Sequence, residues 1–314
     1  MMIRSRFAPS PTGRMHLGSL RTALLVWLDA RARGGKFILR MEDLDQQREI
    51  KGAADQILED LHWLGLDWDE GPDIGGPFAP YKQSERFGFY KEEAEKLLAR
   101  GLLYPCVCTR RDIELATVAP AAGDEGPPYP GTCYGKSPED LGGKKAALRF
   151  HVKPGKITFT DRVFGKISQE VSEEIGDFVV VRKDAAAAYQ LAVVLDDIAM
   201  EITDVVRGAD LLSSTPRQIL LYEALEKKIP AYAHVPLMLA ANGEKFSKRE
   251  RSVHVGSLRE AGWKREKLVG WLAWTAGVTS RLEPVQPKDL VKGFSLEKIK
   301  KEDARVDVGM LIGT

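Results

Sequence analysis

The sequence lacks the features that mark several large classes of protein. Its 46 Lys and Arg nearly balance 45 Asp and Glu, so a net charge of +1 gives no overall field that would attract nucleic acid or anionic lipid, although a local basic face is compatible with RNA. No run approaches the roughly 20 apolar residues of a membrane-spanning helix, and Met1–Phe7 has no apolar signal-peptide core. Three cysteines form no disulfide framework. These absences predict a soluble, cytoplasmic protein with no membrane partner.

Two common nucleotide-binding patterns are also missing. The chain contains neither the phosphate loop of kinases and GTPases nor a Gly-x-Gly-x-x-Gly fingerprint, and it has no internal repeat or low-complexity tract. What it has is enough apolar material for a core, with 44% hydrophobic residues in 314. That length favours two domains, or one domain with a large insertion.

The start of the chain predicts an α/β fold. Ile3–Phe7 is typical of a strand, a helical pattern runs from Ser19 to a double glycine at 34–35, and Phe37–Met41 is typical of a second strand. Strand, loop, helix and strand in this order open a Rossmann-like parallel sheet, whose ligands bind beyond the carboxyl ends of the strands. The loop Ala8–Ser19 lies at such an end and is the first candidate for a binding site.

The middle of the chain differs in character from the two ends. Residues 101–176 carry all three cysteines, a Gly/Pro-rich segment and short β-like runs, which predicts an inserted α+β domain. Residues 1–100 and 177–257 are then predicted to form the Rossmann-like catalytic domain, with Phe178–Arg182 and Leu191–Leu195 as buried strands. Residues 258–314 are predicted to be a helical C-terminal segment that includes a helix-like stretch at Leu296–Asp303.

Two motifs far apart in the chain predict a triphosphate site. The first ends in His16-Leu-Gly18-Ser19 and leads into a helix, whose N-terminal N–H groups attract anions; Gly18 permits close approach of the backbone. The second, Gly243-Glu-Lys245-Phe-Ser247-Lys248-Arg249, places two ammonium groups three residues apart. Either motif alone is as well explained by an ordinary solvated loop. Together, at opposite ends of the α/β domain, the two motifs are much harder to explain in that way.

The three cysteines form a second group of candidate functional residues. Cys106, Cys108 and Cys133 fall within 28 residues, whereas buried apolar cysteines would be expected to scatter. Three thiolates and one further ligand suit tetrahedral zinc. His151 is the nearest histidine and is too distant in sequence to be an obvious fourth ligand, so the residues alone leave that position open.

The two motifs and five further blocks resemble the class I aminoacyl-tRNA synthetases, most closely the glutamyl branch. The resemblance covers roughly residues 4 to 275. The blocks are Arg6-Phe-Ala-Pro-Ser-Pro-Thr-Gly13, Leu39-Arg-Met-Glu42-Asp43-Leu-Asp45, Tyr81-Lys-Gln-Ser-Glu-Arg86, Ala188-Tyr189-Gln-Leu-Ala-Val-Val-Leu-Asp-Asp197 and Val206-Arg207-Gly-Ala-Asp-Leu-Leu212. The resemblance implies that glutamate and ATP react to give glutamyl-adenylate and pyrophosphate, and that the glutamate is then transferred to a tRNA.

The resemblance also implies which residues bind the substrates. Guanidinium forks suit the two carboxylates of glutamate, a carboxylate suits its ammonium, and a tyrosine hydroxyl adds a hydrogen bond. The matching glutamate-site residues are Arg6, Phe7, Ala8, Pro9, Ser10, Glu42, Tyr189 and Arg207. The matching ATP-site residues are His16, Gly18, Ser19, Lys245 and Lys248, of which His16, Ser19, Lys245 and Lys248 are expected to assist the chemistry. Mg²⁺ is expected to arrive with the ATP phosphates.

Within that branch, the chain most resembles the short glutamyl-queuosine tRNA(Asp) synthetases. They end their first signature in a serine, here Ser19, and complete their zinc site with a tyrosine, here Tyr129; Tyr134 is a neighbouring alternative. About 40 residues follow the resembling region, too few for an anticodon-binding domain of roughly 100 residues. This resemblance implies an enzyme that activates glutamate without tRNA, unlike ordinary glutamyl enzymes, and glutamylates queuosine in the tRNA(Asp) anticodon loop. We also expect a monomer.

Three other functions remain open at this point. The chain could be a glutamyl-tRNA synthetase body that charges tRNA(Glu), or a nucleotidyltransferase of the same superfamily, which would not need the glutamate-site residues. It could also be a catalytically silent RNA-binding or regulatory paralogue, against which the intact His16, Lys245 and Lys248 argue. Basic pairs that could contact RNA stand at 110–111, 144–145, 264–265 and 300–301, but no single pair is distinguishable from a solvated charge.

Overall fold

A computed structural model describes residues 2–116, 128–137, 139–246, 253–307 and 311. Its strands are β1 Arg4–Phe7, β2 Lys36–Leu39, β3 Leu103–Cys106, β4 Ala147–Phe150, β5 Lys156–Asp161, β6 Gly165–Glu170, β7 Phe178–Val181, β8 Asp204–Gly208, β9 Ala231–Val235, β10 Met238–Ala240 and β11 Ala304–Val306. Its α-helices are α1 Leu17–Ala32, α2 Ala53–Leu64, α3 Phe87–Ala99, α4 Arg110–Ala116, α5 Val171–Glu174, α6 Tyr189–Ala199, α7 Thr215–Ala224, α8 Val255–Glu260, α9 Arg265–Thr275 and α10 Pro287–Leu290. Short 3-10 helices span Gln83–Arg86, Ala209–Ser214 and Leu296–Lys298.

The central feature is a mostly parallel six-stranded sheet in the order β2-β1-β8-β9-β5-β6. The first four pairings are parallel and only the β5–β6 hairpin is antiparallel. The predicted α/β fold with a parallel sheet is therefore confirmed. The carboxyl ends of β1, β2 and β8 meet at one edge, as parallel pairing requires.

Side chains alternate between the two faces of this sheet and separate two different environments. On one face, Phe7, Phe37 and Val206 join a large apolar core with α1, α2 and α9. The other face carries three charged side chains, Arg4 and Arg6 of β1 and Arg207 of β8, beside the apolar Ile38 and Val205. This polar face is packed against α6 and α7 and is almost wholly buried, so its charges need partners within the protein.

Two smaller sheets flank the central one. Strands β3, β4 and β7 form an antiparallel sheet, and β10 pairs in parallel with β11 near the end of the chain. The hairpin β5–β6, from within the predicted insertion, extends the large sheet, whereas β7 joins the small one. The division into residues 1–100 with 177–257, 101–176 and 258–314 stays a prediction.

Two predicted elements are wrong. Leu191–Leu195 was predicted to be a strand and lies inside helix α6, where every residue from Gln190 to Asp197 is buried. An element buried all round shows no amphipathic period, so its continuous apolar run is ambiguous between helix and strand. The helix-like stretch Leu296–Asp303 is reduced to the 3-10 turn Leu296–Lys298, after which the chain leads into β11.

Candidate active site

A cavity of about 800 Å³ opens at the carboxyl edge of the large sheet. It gathers residues from β1, the segment after β2, α1, α6, β8 and the loop after β10 into one wall. The predicted glutamate-site and ATP-site residues that line it are Arg6, Phe7, Ala8, Pro9, Ser10, His16, Gly18, Ser19, Glu42, Tyr189, Arg207 and Lys245. Lys248 lies outside the described residues. The structure therefore brings together twelve of the thirteen predicted substrate-site positions, while their roles stay predictions.

The first signature forms the N-terminus of α1. His16 is the N-cap, and its Nδ1 accepts hydrogen bonds from the backbone N–H of Gly18 at 3.1 Å and of Ser19 at 3.3 Å. The Ser19 hydroxyl lies 3.1 Å from Nε2 of the same ring. The helix N–H groups expected to face a phosphate are thus directed at the imidazole in this conformation. A Cβ at position 18 would lie 3.0 Å from the ring, so glycine is what permits this close approach.

The second signature contacts the first through an aromatic side chain. Phe246 is buried, and its ring meets the His16 ring edge-on with centroids 6.2 Å apart. Lys245, beside it, is exposed and lines the cavity. The two motifs predicted to form one nucleotide site are therefore adjacent, although some 230 residues separate them in the chain.

The predicted glutamate-site groups Arg6 and Glu42 belong to one buried charge network. Asp197 of α6 lies between two arginines: its Oδ1 is 3.0 Å from Arg6 Nε and 2.7 Å from Arg40 Nη1. Arg40 Nη2 in turn donates to Glu42 Oε1 at 3.1 Å. Arg6 is thereby held at its Nε, and neither of its Nη atoms has a hydrogen-bond partner in the described part of the chain. That free edge of the guanidinium is available to a substrate carboxylate.

Behind this network lies a second buried carboxylate, Asp196. It accepts hydrogen bonds from Arg86 Nε at 2.6 Å, from the Tyr90 hydroxyl and from Gln83 Nε2. Arg40 connects the two groups, since its Nε is 3.6 Å from Asp196. The three arginines and three carboxylates of the combined cluster balance, which is how so much charge is tolerated away from water.

Burial and neighbouring charges set the ionisation of these groups. Burial acts to lower the pKa of Arg6, but Asp197 and Glu42 oppose it, and the net pKa is raised. Burial raises the pKa of Glu42 despite the nearby Arg40 and Arg6. An incoming ammonium would lower that pKa again, so the carboxylate is matched to a cationic ligand. Burial also raises the pKa of Tyr189, which keeps its hydroxyl protonated and able to donate.

More of the N–H groups of Arg207 are hydrogen-bonded within the protein than of those of Arg6 in β1. Its Nε donates to His234 Nε2 at 3.0 Å, its Nη1 donates to Gln218 Oε1 at 2.8 Å, and its Nη2 donates both to Thr215 Oγ1 and to the Leu211 carbonyl. Four of the five N–H groups of the guanidinium are therefore engaged within the described residues, and one on Nη1 is left. The sequence predicted a bidentate fork at both arginines; in this conformation only Arg6 offers one.

The three cysteines form a compact cluster as predicted. Their sulfur atoms lie within 4.8 Å of one another, and none is in a disulfide. Tetrahedral zinc, with Zn–S bonds of about 2.3 Å, places its sulfur ligands roughly 3.8 Å apart, so the donor set fits that ion. Burial acts to raise the pKa of Cys133, but hydrogen bonding to Tyr129 and to the Val107 backbone outweighs it and holds the pKa at about 7. Burial raises the pKa of Cys108 to about 11, so its thiolate form requires a bound cation.

Of the two tyrosines considered as a fourth ligand, only Tyr129 lies at the cluster. Its hydroxyl oxygen is 3.3 Å from the sulfur atoms of both Cys106 and Cys108, and it accepts a hydrogen bond from the Cys133 backbone N–H at 2.9 Å. The Tyr134 ring is instead stacked on His151, with centroids 3.9 Å apart. The geometry thus favours Tyr129 over Tyr134.

Several residues of the site were not predicted. Arg40, Asp197, His234 and Asp161 hold the predicted ligands from behind and do not line the cavity themselves. A signal existed for two of them, because Arg40 and Asp197 stand inside the blocks quoted for the family resemblance. Nothing in the sequence connects Asp161 or His234 to Arg207, since those contacts form only when three strands come together.

Comparison with known proteins agrees with this geometry. Residues 2–308 match the family model described as "tRNA synthetases class I (E and Q), catalytic domain". The chain therefore belongs to the class I tRNA synthetases of the glutamyl and glutaminyl type, and it is a ligase of that class. None of the helices in the described ranges combines the length and hydrophobicity of a membrane span.

Individual members of this family show how similar the chain is to each kind of synthetase. The chain is 48% identical over 311 residues to the Glutamyl-Q tRNA(Asp) synthetase of Symbiobacterium thermophilum, covering 97% of this chain and 96% of that protein. It is 42% identical to the glutamate–tRNA ligase of Carboxydothermus hydrogenoformans, covering 99% of this chain but 66% of that protein. Among solved structures, a glutamate tRNA ligase from Elizabethkingia meningosepticum in complex with its amino acid matches with a TM-score of 0.85 and 32% identity, over 99% of this chain and 68% of that one.

Proposed function

We propose that this protein activates glutamate with ATP and transfers it to the queuosine base of tRNA(Asp). One observation carries the proposal: a single cavity holds groups of both charges suited to a free amino acid beside two motifs suited to a nucleotide. The 48% identity to a Glutamyl-Q tRNA(Asp) synthetase, over nearly the full length of both chains, supports the acceptor. Its cytoplasmic location and monomeric state stay predictions.

Glutamate would bind between the charged groups of the polar sheet face. Arg6 presents two free Nη groups to one carboxylate, and Arg207 and Tyr189 add single donors. Glu42 lies within the same wall and suits the ammonium. Because Arg6, Glu42 and Arg207 are held by neighbouring side chains, they can bind a ligand with little loss of side-chain freedom, which favours a ligand with a matching pattern of charges.

In the proposed first step, a carboxylate oxygen of glutamate attacks the α-phosphorus of ATP. The new bond is a mixed anhydride, the bond between the α-phosphorus and its bridging oxygen breaks, and pyrophosphate leaves with the electron pair. His16, Ser19, Lys245 and Lys248 would stabilise charge on the phosphates, which enzymes of this chemistry achieve by position and electrostatics rather than by a covalent intermediate. Mg²⁺ would accompany the phosphates.

In the proposed second step, a hydroxyl of the acceptor attacks the carbonyl carbon of the adenylate. The ester bond forms, AMP leaves, and the hydroxyl proton is released. The thiolates of Cys106, Cys108 and Cys133, together with Tyr129, would hold a zinc ion. Such an ion would stabilise the segments that follow β3 of the three-stranded sheet. That ion would be structural, since the catalytic groups lie on other elements.

The alternative function is charging of tRNA(Glu) in the manner of a glutamate–tRNA ligase, which the 42% identity to such a ligase favours. Glutamate-dependent ATP–pyrophosphate exchange separates the two. We expect exchange by the purified protein without any tRNA; exchange that appears only after tRNA is added would support the alternative, and no exchange in either case would refute both.

A matched pair of lysine variants tests the assignment of the site. Lys245→Ala is expected to slow exchange by about 100-fold, the usual cost of losing one group that stabilises a transition-state charge. Lys91→Ala removes another exposed lysine, from helix α3 on the protein surface, and is expected to leave the rate unchanged. Equal rates for the two variants would refute the ATP-site assignment.

A further inference from the structure

Behind the cavity, three buried side chains from adjacent strands form a line of hydrogen bonds. Asp161 ends β5, His234 lies in β9, and Arg207 lies in β8. Asp161 Oδ2 is 2.7 Å from His234 Nδ1, and His234 Nε2 is 3.0 Å from Arg207 Nε. Asp161 and His234 are 1% and 0% exposed, so neither contacts solvent or substrate.

The carboxylate is itself fixed by the backbone. Asp161 Oδ1 accepts the N–H groups of Val163 and Phe164, both at 2.9 Å, and Oδ2 accepts the backbone N–H of His234 at 3.0 Å. These bonds leave the carboxylate no freedom to turn. Its pKa is lowered, because the hydrogen bonds from His234 and the backbone outweigh the effect of burial, so it stays ionised.

This arrangement determines which nitrogen of His234 carries a proton. A carboxylate accepts, so Nδ1 must donate to Asp161; an arginine N–H donates, so Nε2 must accept from Arg207. Only the neutral ring with its proton on Nδ1 satisfies both neighbours. Burial and the adjacent guanidinium lower the pKa of His234, which agrees with a neutral ring.

These hydrogen bonds fix the orientation of the Arg207 guanidinium. With its Nε fixed by His234 and three other N–H groups fixed by Gln218, Thr215 and Leu211, the guanidinium has one orientation, and its remaining N–H is on Nη1. Arg207 lines the cavity, whereas Asp161 and His234 do not. His234 Nε2 also lies 3.2 Å from the hydroxyl oxygen of Thr215, which can donate to it, and Thr215 does not line the cavity either. Since Thr215 itself accepts from Arg207, both contacts of His234 act on a ligand through Arg207.

We propose that Asp161 and His234 are positioning residues for glutamate binding, the first fixing the proton of the second and the second fixing the guanidinium of Arg207. This inference rests on the proposed function, because glutamate is the ligand that Arg207 holds there. It predicts that disturbing His234 weakens glutamate binding and leaves ATP binding unaffected, since the ATP motifs lie on other elements of the wall.

The test measures KM for glutamate and KM for ATP separately in the exchange reaction. His234→Ala is expected to raise KM for glutamate about tenfold, as the orientation of a hydrogen bond to a charged group is lost, and to leave KM for ATP within about twofold. His234→Gln is expected to recover most of the affinity, because its amide oxygen can accept from Arg207. Tyr232→Phe is the matched control, since it removes from the same face of β9 a buried hydroxyl that has no hydrogen-bond partner among the described residues.

A double variant separates positioning from general loss of stability. In an Arg207→Ala background, adding His234→Ala is expected to raise KM for glutamate no further, because the group that His234 acts through is gone. A double variant whose KM for glutamate rises by the product of the two single effects would overturn the inference. So would a parallel rise in KM for ATP, or an unchanged KM for glutamate in a folded His234→Ala protein.

A second measurement reads the protonation of His234 directly in the wild-type protein. Nitrogen-15 NMR of labelled histidine in the wild-type protein, with His234→Gln used for assignment, is expected to show the His234 proton on Nδ1 at neutral pH. A proton on Nε2, or on both nitrogens, would overturn the inference. Wild-type protein without exchange activity would refute the proposed function instead, and the NMR result would still decide the state of the pair.

Discussion

Neutralising Asp197 is expected to destabilise the protein severely and weaken glutamate binding. In Asp197→Asn, Arg6 and Arg40 lose the carboxylate that both contact at 3.0 and 2.7 Å. Asp196 lies 3.6 Å from Arg40 and is already engaged by other donors, so it cannot compensate for Arg6. Breaking a buried ion pair from one side costs about 3–5 kcal/mol, a large share of the roughly 5–15 kcal/mol that stabilises a typical domain.

Urea unfolding followed by circular dichroism measures this loss. We expect the free energy of unfolding to fall by about 3–5 kcal/mol for Asp197→Asn. Asp184→Asn, which removes an exposed carboxylate paired with Arg182, is expected to cost less than about 1 kcal/mol. The remaining folded Asp197→Asn protein is also expected to show a raised KM for glutamate, since Arg6 is no longer held at its Nε. A loss below about 1 kcal/mol with an unchanged KM would refute the account of the charge network.

Three further predictions concern other parts of the structure. Burial raises the pKa of Asp60 to about 6 from 3.8, so the folded state binds this proton more tightly than the unfolded chain. The stability that the protonated Asp60 carboxyl contributes is therefore lost as pH rises from about 4 to about 6. Asp60→Asn is expected to stabilise the protein at pH 8 by about 2 kcal/mol and to flatten this pH dependence of the free energy of unfolding. Gly18→Ala would place a Cβ 3.0 Å from the His16 ring and is expected to slow exchange by about tenfold, mainly through kcat, because the ring must move. If the cysteine cluster holds zinc as proposed, removing the ion with a chelator is expected to lower the Tm and to leave the glutamate-pocket groups in place, so that glutamate binding by calorimetry survives.

Each of these predictions has a result that contradicts it. An unchanged pH profile in Asp60→Asn would mean that its carboxylate titrates normally in the folded state. Wild-type exchange kinetics in Gly18→Ala would mean that the His16 capping geometry is not required. Purified protein that contains no zinc by elemental analysis, or a Tm that chelation does not alter, would remove the metal assignment of the cysteine cluster; Cys108→Ser offers a matched variant with the same expected loss.

The positions proposed to bind ligands could be located from the sequence more easily than the contacts that hold them. Arg6, Glu42 and His16 could be located because strand ends and helix starts have local signatures, and parallel strands bring their carboxyl ends together. Their partners could not be located this way. Arg6 meets Asp197 across 191 residues, and His234 meets Asp161 across 73, so these pairs depend on which strand lies beside which.

The errors have a related physical origin. The run Leu191–Leu195 carries no period because α6 is covered on all sides, and only tertiary packing decides between helix and strand there. The role of Arg207 at the glutamate site stays a prediction; it depended on the residue type alone, and in this conformation the neighbours of Arg207 take four of its five N–H groups. Local pattern identifies a functional side chain, but its free donors are known only when every contact is known.

Transfer of radiolabelled glutamate to defined tRNAs tests the central claim most directly. The acceptors are tRNA(Asp) with queuosine, the same tRNA(Asp) prepared without queuosine, and tRNA(Glu), each incubated with the protein, ATP and Mg²⁺. We expect label only on the queuosine-containing tRNA(Asp). Label on tRNA(Glu), or equal label on tRNA(Asp) with and without queuosine, would contradict the proposed acceptor.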